Sequence, residues 1–128
     1  MKLLLDTRSF LWFIGGNSKL SVKAQILIED ISNQSVVSSA SLWEMATKLS
    51  IGRLRLAQPF EIFIPQQMSI NRIELLEVSF AHTTVVATLP DHHQDPFERL
   101  LIAQAIAEQI PIVSCNSTFD AYAITRLW

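Results

Sequence analysis

Short apolar runs of strand length recur along the chain, separated by segments whose apolar residues have helical spacing. The first run, Leu3 to Leu5, is uninterrupted, as expected for a strand that is buried on both faces of a parallel sheet. Four further runs are interpreted as strands: Val36 to Ser38, Ile73 to Val78, Ile112 to Cys115 and Ile124 to Leu127.

Seven segments around these runs are predicted to be helical. Ser21 and Asp95 suit the N-cap position because their side-chain oxygens accept hydrogen bonds from free amides of the first turn, and Pro96 suits the first helical position. Pro65 lacks an amide donor and is expected to kink or restart its helix. The predicted ranges are Ser9 to Ile14, Ser21 to Asp30, Ser41 to Leu49, Pro59 to Ile70, Phe80 to Leu89, Asp95 to Gln109 and Thr118 to Tyr122.

The alternation of strands and helices predicts an α/β fold with a mostly parallel central sheet that is covered on both faces. The 128 residues, of which 49% are hydrophobic and 17% charged, are enough for one compact domain that spans residues 1–128. Such sheets bind ligands beyond the carboxyl ends of their strands. We therefore expect Asp6 and Asn116, which follow two predicted strands, to lie at that edge.

Composition excludes several classes of protein. A net charge of -2 argues against binding of nucleic acid through a broad basic face, so local basic groups such as Arg8 and Arg99 would have to contact a polyanionic substrate. No apolar stretch reaches the roughly 20 residues that a bilayer span requires. Because Cys115 is the only cysteine and the N-terminus has no signal-like apolar region, we expect a cytoplasmic protein that does not associate with membranes.

Four acidic residues lie where apolar runs begin or end: Asp6, Glu44, Asp95 and Glu98. Gathered at one edge of the sheet, such carboxylates would favour a divalent cation. Each also has a purely structural interpretation. Asp6 is suited to cap the following helix, Glu44 to pair with Lys48 on a solvated face, and Asp95 and Glu98 to act as N-cap and capping-box partner.

Other chemistries find less support in the sequence. His92 and His93 lack the partners of a zinc site and are interpreted as a polar loop. Cys115, at the end of an apolar run, is interpreted as a small buried hydrophobe. Three glycines in the whole chain leave no phosphate-binding loop of the nucleotide-binding type.

Four segments of the sequence, taken together, resemble the PIN domain, and specifically the VapC-type toxins of bacterial toxin–antitoxin pairs. They occur in the family's order and span nearly the whole chain: Leu3 to Thr7, Ser39 to Met45, Asp95 to Ala105 and Phe119 to Tyr122. The resemblance implies a PIN-like three-layer α/β/α domain.

The resemblance also implies a function, that of a Mg²⁺- or Mn²⁺-dependent ribonuclease that is inhibited by a cognate antitoxin protein and forms a homodimer. Asp6, Glu44 and Glu98 match the family's catalytic, metal-binding acids. Asp95 matches a further acid at the same cation.

Three positions depart from the family pattern. Arg8 stands where many relatives have His, Glu98 replaces the more usual Asp, and Asn116 takes the place of a fourth acid. The carbonyl oxygen of Asn116 can coordinate a hard cation but brings no charge. A rival hypothesis is therefore a PIN-like domain whose weakened site no longer cuts and which binds protein or RNA instead.

Overall fold

Five parallel strands form one sheet in the computed structural model, which describes all 128 residues. The strands are β1 (Lys2–Leu5), β2 (Gln34–Ser38), β3 (Glu74–Leu76), β4 (Ile112–Val113) and β5 (Arg126–Leu127). Their order in the sheet is β3-β2-β1-β4-β5. Because β1 pairs with β2 on one side and β4 on the other, the strand order reverses at β1, which is where such sheets bind ligands.

Six α-helices and one 3₁₀ turn connect and cover the strands. They are α1 (Thr7–Ile14), α2 (Val22–Glu29), α3 (Ser39–Ser50), α4 (Phe60–Ile70), α5 (Phe80–Ala87), α6 (Pro96–Glu108) and the 3₁₀ turn Ser117–Ala121. The predicted N-caps Ser21 and Asp95 are confirmed, since their side chains accept hydrogen bonds from first-turn amides. None of the helices is long and apolar enough to cross a membrane.

Two apolar cores lie on opposite faces of the sheet. Successive side chains of a strand point to opposite faces, so Leu5 of β1 belongs to one core with Phe10 of α1, and Leu4 belongs to the other with Leu101 of α6. Leu3, Leu4 and Leu5 are all completely buried. The predicted three-layer α/β/α arrangement with a parallel sheet is confirmed.

Of the two effects predicted for Pro65, a kink or a restart of the helix, the structure rules out the restart. α4 runs from Phe60 to Ile70 as one helix with Pro65 inside it. The carbonyl of Glu61, four residues earlier, loses its usual amide partner, but Glu61 is exposed and water can replace the bond. Burial of Ile64 in the core stabilises the continuous helix.

Two helices begin earlier than predicted, for the same local reason. α1 begins at Thr7 rather than Ser9 because Asp6 caps it, with Oδ1 accepting a hydrogen bond from the Ser9 amide. α3 begins at Ser39 rather than Ser41 because the Ser38 hydroxyl accepts from the Ala40 amide. In both cases the helix starts directly where a strand ends, which brings the first turn of the helix to the carboxyl edge of the sheet.

Candidate active site

A polar pocket of about 320 Å³ opens at the carboxyl edge of the sheet, beside the ends of β1 and β4. Only one of its nine lining residues is hydrophobic. Six of the residues singled out from the sequence line it: Asp6, Arg8, Glu44, Asp95, Glu98 and Asn116. Parallel strands that end at one edge therefore bring together residues from both ends of the chain.

Asp6 is the first residue after β1 and is almost completely buried. Its amide donates to the carbonyl of Val113 at 3.1 Å, which holds it against the end of β4. Its Oδ1 accepts from the Ser9 amide at 2.8 Å and caps α1. Its Oδ2 has no hydrogen-bond partner within the protein. Asp6 therefore caps a helix with one oxygen and presents the other to the pocket.

Glu44 is buried in α3, and both of its carboxylate oxygens have partners. Oε1 accepts from the Thr7 hydroxyl at 2.6 Å, and Oε2 accepts from Nζ of Lys48 at 2.7 Å. The pair with Lys48 that the sequence suggested is thus present, but Glu44 is buried rather than solvated. Lys48 has a side chain that is 48% exposed, so it can move aside for a competing cation.

Asp95 and Glu98 open α6. Oδ1 of Asp95 accepts from the amides of Phe97 and Glu98 at 2.9 and 3.0 Å, which leaves Oδ2 without a protein partner. Glu98 does not complete the predicted capping box; its Oε2 accepts from Nδ2 of Asn116 at 2.7 Å instead. Burial raises the pKa of Glu98 and the negative charge of Asp95 raises it further, against the lowering effects of Asn116, His93 and Arg8.

Asn116 caps a turn with one side-chain atom and reaches into the pocket with the other. Its Oδ1 accepts from the Thr118 amide at 3.0 Å and caps the 3₁₀ turn, and its Nδ2 reaches Glu98 in the pocket. The oxygen that would bind a cation thus accepts from Thr118 and keeps one lone pair free. Coordination by Asn116 stays a prediction.

The two arginines suggested for substrate contact occupy different surroundings. Arg8 lines the pocket, with its guanidinium carbon 5.6 Å from the ring centroid of Trp12. Arg99 does not line it, because its guanidinium donates to the carbonyls of Pro90 at 2.9 Å and Leu89 at 3.2 Å. Arg99 holds the loop before α6, and its contact with substrate stays a prediction.

His93 lies in the predicted loop before α6, but its side chain is only 14% exposed, which the sequence did not indicate. Its Nδ1 lies 2.7 Å from the hydroxyl of Tyr122, and its Nε2 lies 3.7 Å from Oε1 of Glu98. Its place two residues before the N-cap Asp95, where the chain folds back onto the first helical turn, is the signal that could have identified it.

Thr7 and Ser41 are two further polar residues that were not anticipated. Both are buried, and their hydroxyl oxygens lie 2.9 Å apart. Thr7 also donates to Glu44, so this hydroxyl pair orients that carboxylate. Residue spacing does not reveal that these hydroxyls are buried, because Ser and Thr near the start of a helix are also expected as N-caps.

Some features of this pocket favour the binding of a divalent metal ion, and one does not. No group of three or more acidic, His or Cys residues lies close enough together to hold one ion. The oxygens without protein partners are nevertheless carboxylate oxygens, those of Asp6, Asp95 and Glu98. Mg²⁺ prefers oxygen ligands, keeps several waters and is commonly bound by only one or two carboxylates. The donor set therefore fits a hydrated Mg²⁺ or Mn²⁺ ion.

The sheet order, the two helical layers and the acid-lined pocket at the switch point define an α/β/α domain with a polar site at its carboxyl edge. Residues 3–124 match the family model of the PIN domain, and the chain belongs to that family.

Known proteins similar to this chain include one curated relative and several solved structures. Ribonuclease VapC16 from Mycobacterium tuberculosis is 30% identical over 61 residues, which are 48% of this chain and 43% of that protein, so the match spans less than half of the relative's length. VapBC2 from Rickettsia felis, solved with a DNA fragment from its promoter, superposes with a TM-score of 0.75 at 18% identity and covers 100% of this chain and 99% of that chain. DNA-bound VapBC from Salmonella typhimurium gives a TM-score of 0.72 at 16% identity, covering 99% and 97%. At these identities the solved structures show that the fold is shared.

Replacing Glu98 with Gln should stabilise the metal-free protein at neutral pH. Because the folded state raises the pKa of Glu98, the ionised carboxylate weakens folding above that pKa, and the effect vanishes as the pH falls below the unfolded-state value near 4.5. We expect Glu98→Gln to melt at a higher temperature than wild type at pH 7.5 with EDTA. The two melting temperatures should become equal at about pH 4. Thermal denaturation followed by circular dichroism measures this. The exposed Glu77→Gln is the control, and a Glu98→Gln protein that is less stable at pH 7.5 would contradict the prediction.

Proposed function

We propose that this protein is the toxin of a type II toxin–antitoxin pair, a Mg²⁺- or Mn²⁺-dependent ribonuclease that hydrolyses RNA phosphodiester bonds in the cytoplasm and is inhibited by a cognate antitoxin. The observation that carries the proposal is that Asp6, Asp95 and Glu98 line one polar pocket and each has a carboxylate oxygen that makes no hydrogen bond within the protein. The similarity to a protein named Ribonuclease VapC16 supports the reaction class. The VapBC complexes with the same fold support the toxin–antitoxin setting.

In this proposal the cation is held by Asp6 and Glu98, with Asp95 beside them and Glu44 and Asn116 at the margin. A cation bound there supplies Lewis acidity for the in-line attack of water on the phosphodiester. Asp6 is the most rigid of the ligands, because its Oδ1 is tied to α1 and its backbone to β4. Rigid anchoring keeps its free oxygen in place as the substrate binds.

The pocket also offers positive charge for a polyanion. Arg8 and Lys48 line it, and the guanidinium of Arg8 lies over the aromatic face of Trp12. The chain as a whole carries a net charge of -2, so it does not attract a polyanion in general. These two side chains provide positive charge locally, at the pocket where the phosphate of the substrate would bind. We infer that Arg8 contacts the RNA backbone next to the scissile bond.

A second candidate function is a PIN-domain binding module that no longer cuts RNA. It is favoured by the absence of any three-acid group at ligand distances and by the uncharged Asn116. This candidate predicts that RNA or protein binding is independent of the pocket acids. The ribonuclease proposal predicts that activity depends on them.

Asp6→Asn should abolish ribonuclease activity while the protein stays folded. The substituted side chain retains an oxygen that can accept from the Ser9 amide, so the cap of α1 persists and only the charge is lost. We expect cleavage of a mixed RNA substrate in Mg²⁺ to fall by about 100-fold or more, since a catalytic cation contributes several kcal/mol. Asp30→Asn, which removes the same charge away from the pocket, should leave the rate unchanged. Undiminished cleavage by folded Asp6→Asn would overturn the proposal.

Asn116→Asp should change metal binding and metal-free stability in opposite directions. It replaces the hydrogen bond to Glu98 with a second negative charge, so the metal-free protein should melt at a lower temperature. With cation present the added carboxylate should tighten binding of Mn²⁺ and raise the cleavage rate, most clearly at limiting metal. Calorimetry and a metal series measure the two effects. Identical metal-binding curves for the two proteins would place Asn116 outside the site.

A homodimer that binds its antitoxin through apolar surface is also expected. Ile31 is 89% exposed and Phe80 is 88% exposed, and such residues favour burial against a partner when they belong to larger patches. We expect light scattering to report a dimer at micromolar concentration. We also expect this protein to form a stable complex with the protein that an adjacent small reading frame encodes. A monomer both alone and with that partner would contradict this prediction.

A further inference from the structure

His93 is held at the edge of the pocket by aromatic side chains. Its ring lies at 68° to that of Tyr122 with centroids 5.4 Å apart, and at 56° to that of Phe119 with centroids 6.1 Å apart. Phe119 is completely buried and Tyr122 nearly so. The imidazole therefore has a fixed orientation, with Nδ1 toward the Tyr122 hydroxyl and Nε2 toward Glu98.

The hydrogen bonds around Tyr122 determine which nitrogen of His93 carries the proton. Nη1 of Arg99 lies 3.4 Å from the Tyr122 hydroxyl, and a guanidinium can only donate. The hydroxyl oxygen therefore accepts from Arg99, and the only acceptor within hydrogen-bond distance of its own proton is Nδ1 of His93 at 2.7 Å, so the hydroxyl donates to Nδ1. Nδ1 is then the unprotonated nitrogen. The proton of the neutral ring lies on Nε2.

This Nε2–H group faces Glu98. Nε2 is buried and has no hydrogen-bond partner, while Oε1 of Glu98 lies 3.7 Å away. A buried donor without a partner is unfavourable, so a small rotation of the Glu98 side chain that closes this gap is favoured. The other oxygen of the same carboxylate already accepts from Asn116. A carboxylate oxygen has two lone pairs and can accept from His93 while it binds a cation.

We propose that His93 is a positioning residue, whose Nε2–H tautomer is set by the chain Arg99–Tyr122–His93 and orients the Glu98 carboxylate toward the pocket. The part of this inference that concerns metal binding rests on the proposed function. The tautomer itself does not. Outer hydrogen-bond partners of this kind orient metal ligands, and their loss typically weakens binding by about 10- to 100-fold.

The tautomer can be measured directly in the metal-free protein. Long-range ¹H–¹⁵N correlation spectra at pH 8.5 distinguish the two neutral forms of each histidine. We expect His93 to be in the Nε2–H form in wild type, and to keep that form in Tyr122→Phe, because Glu98 still faces Nε2 while an Nδ1–H group would lose its only partner. A His93 in the Nδ1–H form in either protein would overturn the inference, whether or not the protein is a nuclease.

Metal titration tests the positioning role. We expect Mn²⁺ to bind His93→Phe about 10-fold or more weakly than wild type in calorimetry, and His93→Gln, whose amide nitrogen can replace Nε2–H, to retain most of the affinity. His92→Phe is the control, because the exposed His92 also packs on Tyr122 but does not face Glu98. Melting temperatures measured with EDTA separate this effect from loss of folding.

The outcomes of the titration are distinct. Equal Mn²⁺ affinity in folded His93→Phe and wild type, or failure of His93→Gln to restore binding lost in His93→Phe, would overturn the positioning role. A wild type that binds no Mn²⁺ would overturn the proposed function, and with it the positioning of a metal ligand, whereas the tautomer assignment would still be decided by the spectra.

Discussion

The complete burial of Leu3 to Leu5 in β1, between two parallel neighbouring strands, is the constraint on which the rest of this structure depends. Leu5 pairs with Val37 of β2 and with Val113 of β4, so three strands end at nearly the same level of the sheet. No side chain of Leu3 to Leu5 reaches solvent, and Asp6 is the first residue that can be polar without loss of core. The pocket lies where the buried strand ends, because the residues just beyond the strand are the first that need not be apolar for core packing.

The carboxyl edge of the sheet is strongly acidic at the pocket. Four carboxylates share one small pocket, and the surrounding groups offset their charge only in part: Lys48 beside Glu44, Asn116 beside Glu98, and amides beside Asp6 and Asp95. Burial and the nearby charge of Asp95 make the ionised form of Glu98 unfavourable, as its raised pKa shows. Concentrated charge of this kind lowers stability, and in the proposed function it would attract a cation, so stability and function would compete at this site.

The fold was predictable from the sequence where local chemistry and core packing agree. Asp95 followed by Pro96 predicted the start of α6 to the residue, because capping and backbone preference act together there. Pro65 misled because tertiary packing of α4 outweighed one lost hydrogen bond. The grouping of the acids in one pocket followed from parallel topology. Their individual partners, such as Asn116 for Glu98 and Tyr122 for His93, depend on contacts between distant segments that no spacing rule encodes.

The pairing of β1 with β4 joins segments that are far apart in the order of synthesis. Asp6 is made long before the strand that holds its amide and before Asn116, which holds Glu98. The pocket therefore cannot be complete until both segments have emerged from the ribosome, since contacts between distant segments form only after both are available. A nuclease built in this way would have no active site while only its first strand and helices had been made, so the early part of its translation would pass without activity.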